Sequence, residues 1–246
     1  VRRGLRAVLV GAGGIGSEYA DAPSGAPRTH AAGLLAHPGV ELVGAVDTDR
    51  RRREEFHRRR GRPAWTPSQA GRAGRIEVAV VATPPGAHGA GLELALHLGA
   101  SAVLCEKPLG RTAEEAKAIA SRVSEAGATL LVNYSRRFDP GFARLGARME
   151  AGAVGNIRRL AVDYCRGLRN NASHALDLAR SMVGDLEASA AADRLNEGGD
   201  DPSLDVWLRS ADGIPVDLTA FPAGAYHTFA VEIVGRDGTV RAEGTT

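Results

Sequence analysis

Val8-Leu9-Val10-Gly11-Ala12-Gly13-Gly14-Ile15-Gly16 is the stretch that decides the fold. Three apolar strand formers run straight into Gly-x-Gly-x-x-Gly. Gly11 permits the tight turn off the strand, Gly13 lets the backbone approach a pyrophosphate, and Gly16 lets a following helix pack close to the strand. The start of that helix, with Gly14 and Ile15 in its first turn, would offer free N–H groups and a positive dipole end to an anion. A glycine-rich turn can also serve packing alone, so the weight of the motif rests on its surroundings.

Those surroundings repeat a strand–helix rhythm. Strand-like runs are expected at Ala7–Val10, Glu41–Val46, Glu77–Ala82, Ala102–Cys105 and Thr129–Val132, with helical patterns such as Gly86–Leu98 and Thr112–Ala126 between them. The strand runs are nearly all apolar rather than alternating, which fits a parallel sheet covered on both faces. The first half, residues 1–132, therefore reads as a doubly wound α/β domain. A dinucleotide site also needs an acid after the second strand to take the ribose hydroxyls, and Asp47 stands there. Its larger distance from the glycines is accounted for by a surface insertion over Asp21–Pro27. A carboxylate repels a 2′-phosphate, so NAD is favoured, with NADP left open by the neighbouring Arg50 and Arg51. The competing role for Asp47 is a helix cap.

After Asn133 the rhythm changes. Helices are expected at Asp139–Ala151 and Ser173–Val183, the second capped by Ser173, around a strand near Arg159–Cys165. Strands follow at Ala188–Asp193, Leu204–Arg209, Val216–Phe221 and Thr228–Val234, with turn chemistry at Ser210–Gly213 and Arg236–Gly238. Residues 133–246 thus read as a second, α+β domain with a mainly antiparallel sheet.

The bulk numbers exclude several classes. The chain has 246 residues, 43% hydrophobic and 24% charged, with a net charge of +2, so neither nucleic acid nor membrane is expected as a partner. The Arg50–Arg60 run contains Glu54 and Glu55 and reads as a solvated helix. Cys105 and Cys165 sit in apolar runs without metal-ligand spacing, as buried free thiols do. With no leader pattern and no apolar stretch of about 18 residues, the expected compartment is the cytoplasm.

Of thirty-one basic side chains only Lys107 and Lys117 are lysine. Arginine stays protonated, whereas a lysine is tunable by burial and neighbours. Lys107 sits in Glu106-Lys107-Pro108 after a strand run; Lys117 reads as part of a solvated helix face.

Four further segments carry a family likeness: Ala82-Thr83-Pro84-Pro85-Gly86-Ala87-His88, Cys105-Glu106-Lys107-Pro108, Asn133-Tyr134-Ser135-Arg136-Arg137-Phe138-Asp139-Pro140 and Asn170-Asn171-Ala172-Ser173-His174-Ala175-Leu176-Asp177. With the glycine loop they resemble, over roughly residues 5 to 185, the glucose-fructose oxidoreductase / inositol dehydrogenase (Gfo/Idh/MocA) family. The resemblance implies a Rossmann domain, then an α/β domain whose open sheet forms a homo-oligomer interface. It implies that Thr83, Pro84 and His88 lie along the cofactor, that Glu106 lines the nicotinamide pocket, and that the peptide before Pro108 is cis. It implies that Lys107 holds the reacting hydroxyl and that His174 is its acid/base partner. Arg137, with Arg136 beside it, is expected to contact the substrate, where a guanidinium fork suits a phosphate or carboxylate, and Asn170 and Asn171 are expected toward the substrate as well. The competing role for the Arg136–Arg137 pair is an interdomain salt bridge.

Two departures stand out. Asn170 occupies a place where many relatives carry Asp, and the chain is shorter than such relatives, which suggests a trimmed sheet, a shifted oligomer interface or a missing wall of the cleft. The expected activity is hydride transfer between NAD(P) and a secondary alcohol or ketone of a polyol or sugar. The rivals are a catalytically weak NAD-binding sensor or scaffold and NAD-assisted glycoside cleavage.

Overall fold

The computed structural model describes residues 4–20, 25–224 and 227–243. Two compact units divide the chain, Val1–Asn133 and Tyr134–Thr246.

The first unit holds β1 (Leu5–Val10), α1 (His30–Ala36), β2 (Val40–Val46), α2 (Arg50–Arg60), β3 (Ala64–Trp65), β4 (Val78–Val81), α3 (His88–His97), β5 (Ala102–Cys105), α4 (Ala113–Glu125) and β6 (Thr129–Val132). Its sheet runs β3-β2-β1-β4-β5-β6, and every pair is parallel. The apolar strands serve two cores at once, because successive side chains point to opposite faces. Val8, Val10, Val81 and Val103 pack with Leu92 of α3 and Ile119 and Val123 of α4. Leu9, Ala45 and Val80 pack on the other face with Ala31 of α1 and Phe56 of α2. The chain leaves β1 toward β2 and β3, then crosses back to β4. The gap beyond the carboxyl ends of β1 and β4 is therefore the topological switch point, where open α/β sheets bind ligands.

One expectation is corrected here. The helix after the glycine loop is reduced to a single wide turn, Gly14–Glu18. Two glycines in that turn disfavour continuation, and helical structure resumes only at α1, where the Thr29 hydroxyl accepts from Ala32 N. Side chains of α2 support the short turn instead. Arg59 Nη1 donates to Glu18 O at 2.6 Å, Arg60 Nη2 to Ser17 O at 3.0 Å, and Arg51 pairs with the Glu18 carboxylate at 3.1 Å. The basic run is thus a helix, as expected, but several of its arginines are structural braces rather than solvated ornaments. The insertion expected over Asp21–Pro27 lies partly outside the described residues.

The second unit holds α5 (Pro140–Glu150), β7 (Ile157–Tyr164), α6 (Ser173–Val183), β8 (Leu186–Ala192), β9 (Asp205–Ser210), β10 (Pro215–Ala220), β11 (Phe229–Gly235) and β12 (Thr239–Glu243). The strand order is β12-β11-β7-β10-β9-β8. Four pairings are antiparallel and the central β7–β10 pair is parallel, so the sheet is mixed and mostly antiparallel. Phe142 and Leu145 of α5 and Leu178 of α6 cover one face, against Leu160, Val162, Leu218 and Ile233. The opposite face carries linked ion pairs: Arg159 with Asp217 and Glu232, and Arg241 with Asp163. Ser173 is the first residue of α6 rather than its cap, and its hydroxyl donates back to Asn170 O. No described helix is long and apolar enough to cross a membrane.

Candidate active site

A cleft of about 460 Å³ opens at the switch point of the first unit. Gly11, Gly13, Gly14, Ile15, Asp47, Thr83 and Pro84 line it, together with an apolar wall from α3 that includes Gly91 and Leu94. The glycines are required sterically. Gly11 has φ 95°, and a Cβ there would lie 2.7 Å from the Ala82 backbone. A Cβ on Gly16 would lie 2.2 Å from Gly11 O, so Gly16 acts behind the cradle rather than in its lining.

Asp47 directly follows β2 and is buried. One carboxylate oxygen accepts from Ala12 N and the other from Asp49 N, both at 2.8 Å. The acid therefore locks the glycine loop while facing the cleft. The cap of α2 is Asp49, which accepts from Arg52 N at 3.0 Å. Thr83, off the end of β4, has a buried hydroxyl oxygen without a hydrogen-bond partner, and so does the Nε of Arg52. A glycine cradle, a ribose-type acid and two orphaned polar atoms fit a dinucleotide, and Gly11, Gly13, Gly14, Asp47 and Thr83 would hold it.

His88 behaves differently from the expectation. It is fully buried and outside the lining. Its Nε2 lies 2.8 Å from Thr83 O and its Nδ1 3.2 Å from Leu109 O. The imidazole ties the loop after β4 to the loop after β5, behind the cleft.

That second loop carries Glu106 and Lys107, both half-buried, and the Lys107–Pro108 peptide is cis. Glu106 is outside the lining of the cleft. One carboxylate oxygen meets His30 Nε2 at 2.8 Å and accepts from Asn133 Nδ2 at 2.6 Å; the other accepts from Lys107 N at 3.3 Å. Burial works against the charged carboxylate, but the His30 and Asn133 hydrogen bonds outweigh it and hold its pKa below the usual glutamate value. His30, the first residue of α1, is thus a partner of Glu106 across 76 residues of sequence, and no local pattern signals that.

In the second unit His174 is buried near the start of α6 and meets the Tyr134 ring edge-on, 5.8 Å between centroids. Burial, then the Asp177 carboxylate, raises the Tyr134 pKa. The four polar residues expected toward substrate have protein partners. Arg137 forks onto the Asp177 carboxylate, with Nε at 2.9 Å. Arg136 lies 3.7 Å over the Phe229 ring and donates to Asn171 Oδ1 at 3.3 Å. Buried Asn171 donates to Cys165 O at 2.9 Å, and exposed Asn170 donates to Arg166 O at 3.2 Å. A cation over an aromatic face and a bidentate carboxylate fork are structural contacts; sequence order alone does not distinguish them from ligand contacts. Among the described residues no group of three His, Cys, Asp or Glu side chains could hold a metal ion.

A parallel doubly wound sheet with this cradle defines a dinucleotide-binding domain of the Rossmann class. The sequence pattern of the oxidoreductase family with an NAD-binding Rossmann fold, Gfo/Idh/MocA, matches residues 5–134, and the chain belongs to that family. It is 30% identical over 267 residues to inositol 2-dehydrogenase 4 of Saccharopolyspora erythraea, covering 98% of this chain and 74% of that relative. It is 27% identical over 261 residues to the inositol 2-dehydrogenase of Rhizobium meliloti, covering 97% and 76%. The WlbA dehydrogenase of Bordetella pertussis, solved in complex with NADH and UDP-GlcNAcA, matches with a TM-score of 0.81 and 25% identity, over 98% of this chain and 80% of that one. The chain is an NAD-dependent dehydrogenase acting on CH–OH groups.

Proposed function

We propose that this chain oxidises a secondary hydroxyl of a cyclitol of the inositol class, or of a related sugar, with NAD as hydride acceptor. The observation that carries the reading is the Glu106-Lys107-Pro108 loop, which leaves β5 next to the strand that carries Thr83 and is fixed by His30 and Asn133. Several inositol 2-dehydrogenases among its relatives support the substrate class. Bound NAD supplies the electrophilic ring that takes the hydride. Lys107 hydrogen-bonds the reacting hydroxyl and stabilises the oxyanion character that develops as hydride departs. His174 accepts the hydroxyl proton. Asp47 favours NAD, because a carboxylate at the ribose repels a 2′-phosphate. The ion-paired open face of the second unit's sheet is the surface proposed for self-association.

Reduction of NAD, followed by the absorbance of the reduced nicotinamide, tests this with a panel of inositols, sugars and sugar phosphates. Lys107→Ala is expected to lower kcat by about 10²- to 10⁴-fold, the usual range for a group handling the reacting proton or charge, with NAD affinity retained. Unchanged turnover in that variant would remove Lys107 from the chemistry. A second reading, a weakly catalytic NAD-binding sensor, is favoured by Asn170, which brings no carboxylate to a proton relay. Tight NAD binding without turnover across the panel would select it.

A further inference from the structure

The glycine loop of this chain lacks the helix that ordinarily gives such loops their electrostatic pull on phosphate. A helix N-terminus attracts anions because many aligned peptide dipoles sum along its axis. Here the following helical segment is one turn of five residues, Gly14–Glu18, so that sum is small. The carbonyls at its far end are tied to Arg59 and Arg60 of a different helix. The first-turn N–H groups remain available to a pyrophosphate, and a cation beside them would supply the pull that the shortened dipole does not.

Most arginines of α2 have protein partners that account for them. Arg50 pairs with Glu54, Arg51 with Glu18 and Arg58 with Glu55, and Arg53 donates to the carbonyls of Asp47 and Thr48. Arg52 differs. It is among the residues that line the dinucleotide cleft, and its Nε is buried with no hydrogen-bond partner. It lies against Gly13 on the side where a Cβ would project: that Cβ would stand 3.2 Å from Cζ, 3.3 Å from Nε and 3.4 Å from Nη1. Three nearly equal distances mean that the flat guanidinium faces the glycine. Gly13 is the position whose missing side chain lets a pyrophosphate approach. A permanent cation with an unpaired Nε therefore lies against the glycine where phosphate oxygens arrive, close enough for its charge to act on them.

We propose that Arg52 is the pyrophosphate-binding cation of this chain, replacing from α2 the electrostatic role of the shortened helix after the glycine loop. The inference rests on the dinucleotide reading above and adds to it a residue and a ligand group. It predicts that affinity depends on the phosphates of the dinucleotide, is weakened by salt, and is carried in part by one side chain.

Titration calorimetry on the full chain tests it, with NAD, NADP, ADP-ribose and adenosine as ligands for wild type, Arg52→Gln and Arg52→Lys. Arg52→Gln is expected to weaken NAD and ADP-ribose by about tenfold, the worth of a charge-assisted hydrogen bond. Adenosine binding stays unchanged, and the salt dependence of NAD affinity becomes shallower. Arg52→Lys recovers part of the loss, which separates charge from folding, as does thermal unfolding of each variant without ligand. Arg58→Gln, exposed farther along the same helix and paired with Glu55, is the control and leaves affinity as it was. Equal weakening of adenosine would make Arg52 a stacking surface for the base, and weakening of NADP alone would make it a 2′-phosphate ligand; either overturns the proposal. Unaltered NAD affinity in Arg52→Gln overturns it while leaving the dinucleotide reading intact. A wild-type chain that binds no pyrophosphate ligand defeats both.

Discussion

Asp47 does two jobs with one carboxylate. The oxygens that make it a ribose acceptor also hold Ala12 N and Asp49 N, so the loop and the acid are one mechanical unit. Asp47→Ala leaves both N–H groups without that acceptor, at a cost of about 1–3 kcal/mol for each that stays buried. The thermal midpoint of the ligand-free protein should fall accordingly, and Asp47→Asn, which keeps one acceptor oxygen, should fall less. A ligand-free midpoint equal to wild type would confine Asp47 to the cofactor. At this scale the sequence was informative wherever chemistry is local. Gly11, Gly13 and Asp47 were identifiable from strand, turn and spacing. The Ala12 contact, the His30–Glu106 pair and the inward-facing Arg52 were not, because each joins residues far apart in sequence through a fold that composition does not encode.

Elements show the same division. Five parallel strands and the helices α3 to α6 follow apolar runs and periodicity closely, since burial on one or both faces dictates those patterns. Missed were β3, only two residues long, and β12, Thr239-Val240-Arg241-Ala242-Glu243, whose mixed composition has no strong apolar face. The wide turn after the glycines was misread as a helix because the motif usually continues into one. Two glycine substitutions separate kinds of constraint in these elements. Gly61 caps α2 at φ 62° with open space around it, so Gly61→Ala carries backbone strain alone, about 1 kcal/mol, and leaves NAD affinity unchanged. Gly16→Ala meets Gly11 O at 2.2 Å, and one of the two backbone segments must move. That variant should lose dinucleotide binding as well as stability. Thermal unfolding with and without NAD distinguishes them, and wild-type affinity in Gly16→Ala would contradict the packing account.

For the whole molecule, acid response has a definite sign. Each unit holds a carboxylate whose burial is outweighed by hydrogen-bond donors: Glu106 with His30 and Asn133, and Asp205 with Arg194 and Ala220 N. Both have pKa values lowered on folding. Their contribution to stability is fully present above the unfolded carboxylate values, roughly 4 to 4.5, and disappears as pH falls through the folded ones. Midpoints measured from neutral to acid pH should therefore drop in that window. Glu106→Gln should flatten the drop, and an equally steep fall in that variant would assign the acid response elsewhere.

The cysteines turn the same division into two independent clocks. Cys105 on β5 lies in the first unit and Cys165, just past β7, in the second, and both are free and buried. Burial, with Glu106 adding to it, pushes the Cys105 thiol up to about 12, so it offers almost no thiolate at neutral pH until its surroundings open. A disulfide reagent added to the native protein should react at rates set by opening, with Cys105→Ser and Cys165→Ser variants giving one rate each. Equal rates mean that the dehydrogenase opens as a single body. Unequal rates would show that one half loosens while the other stays shut, and would say which half.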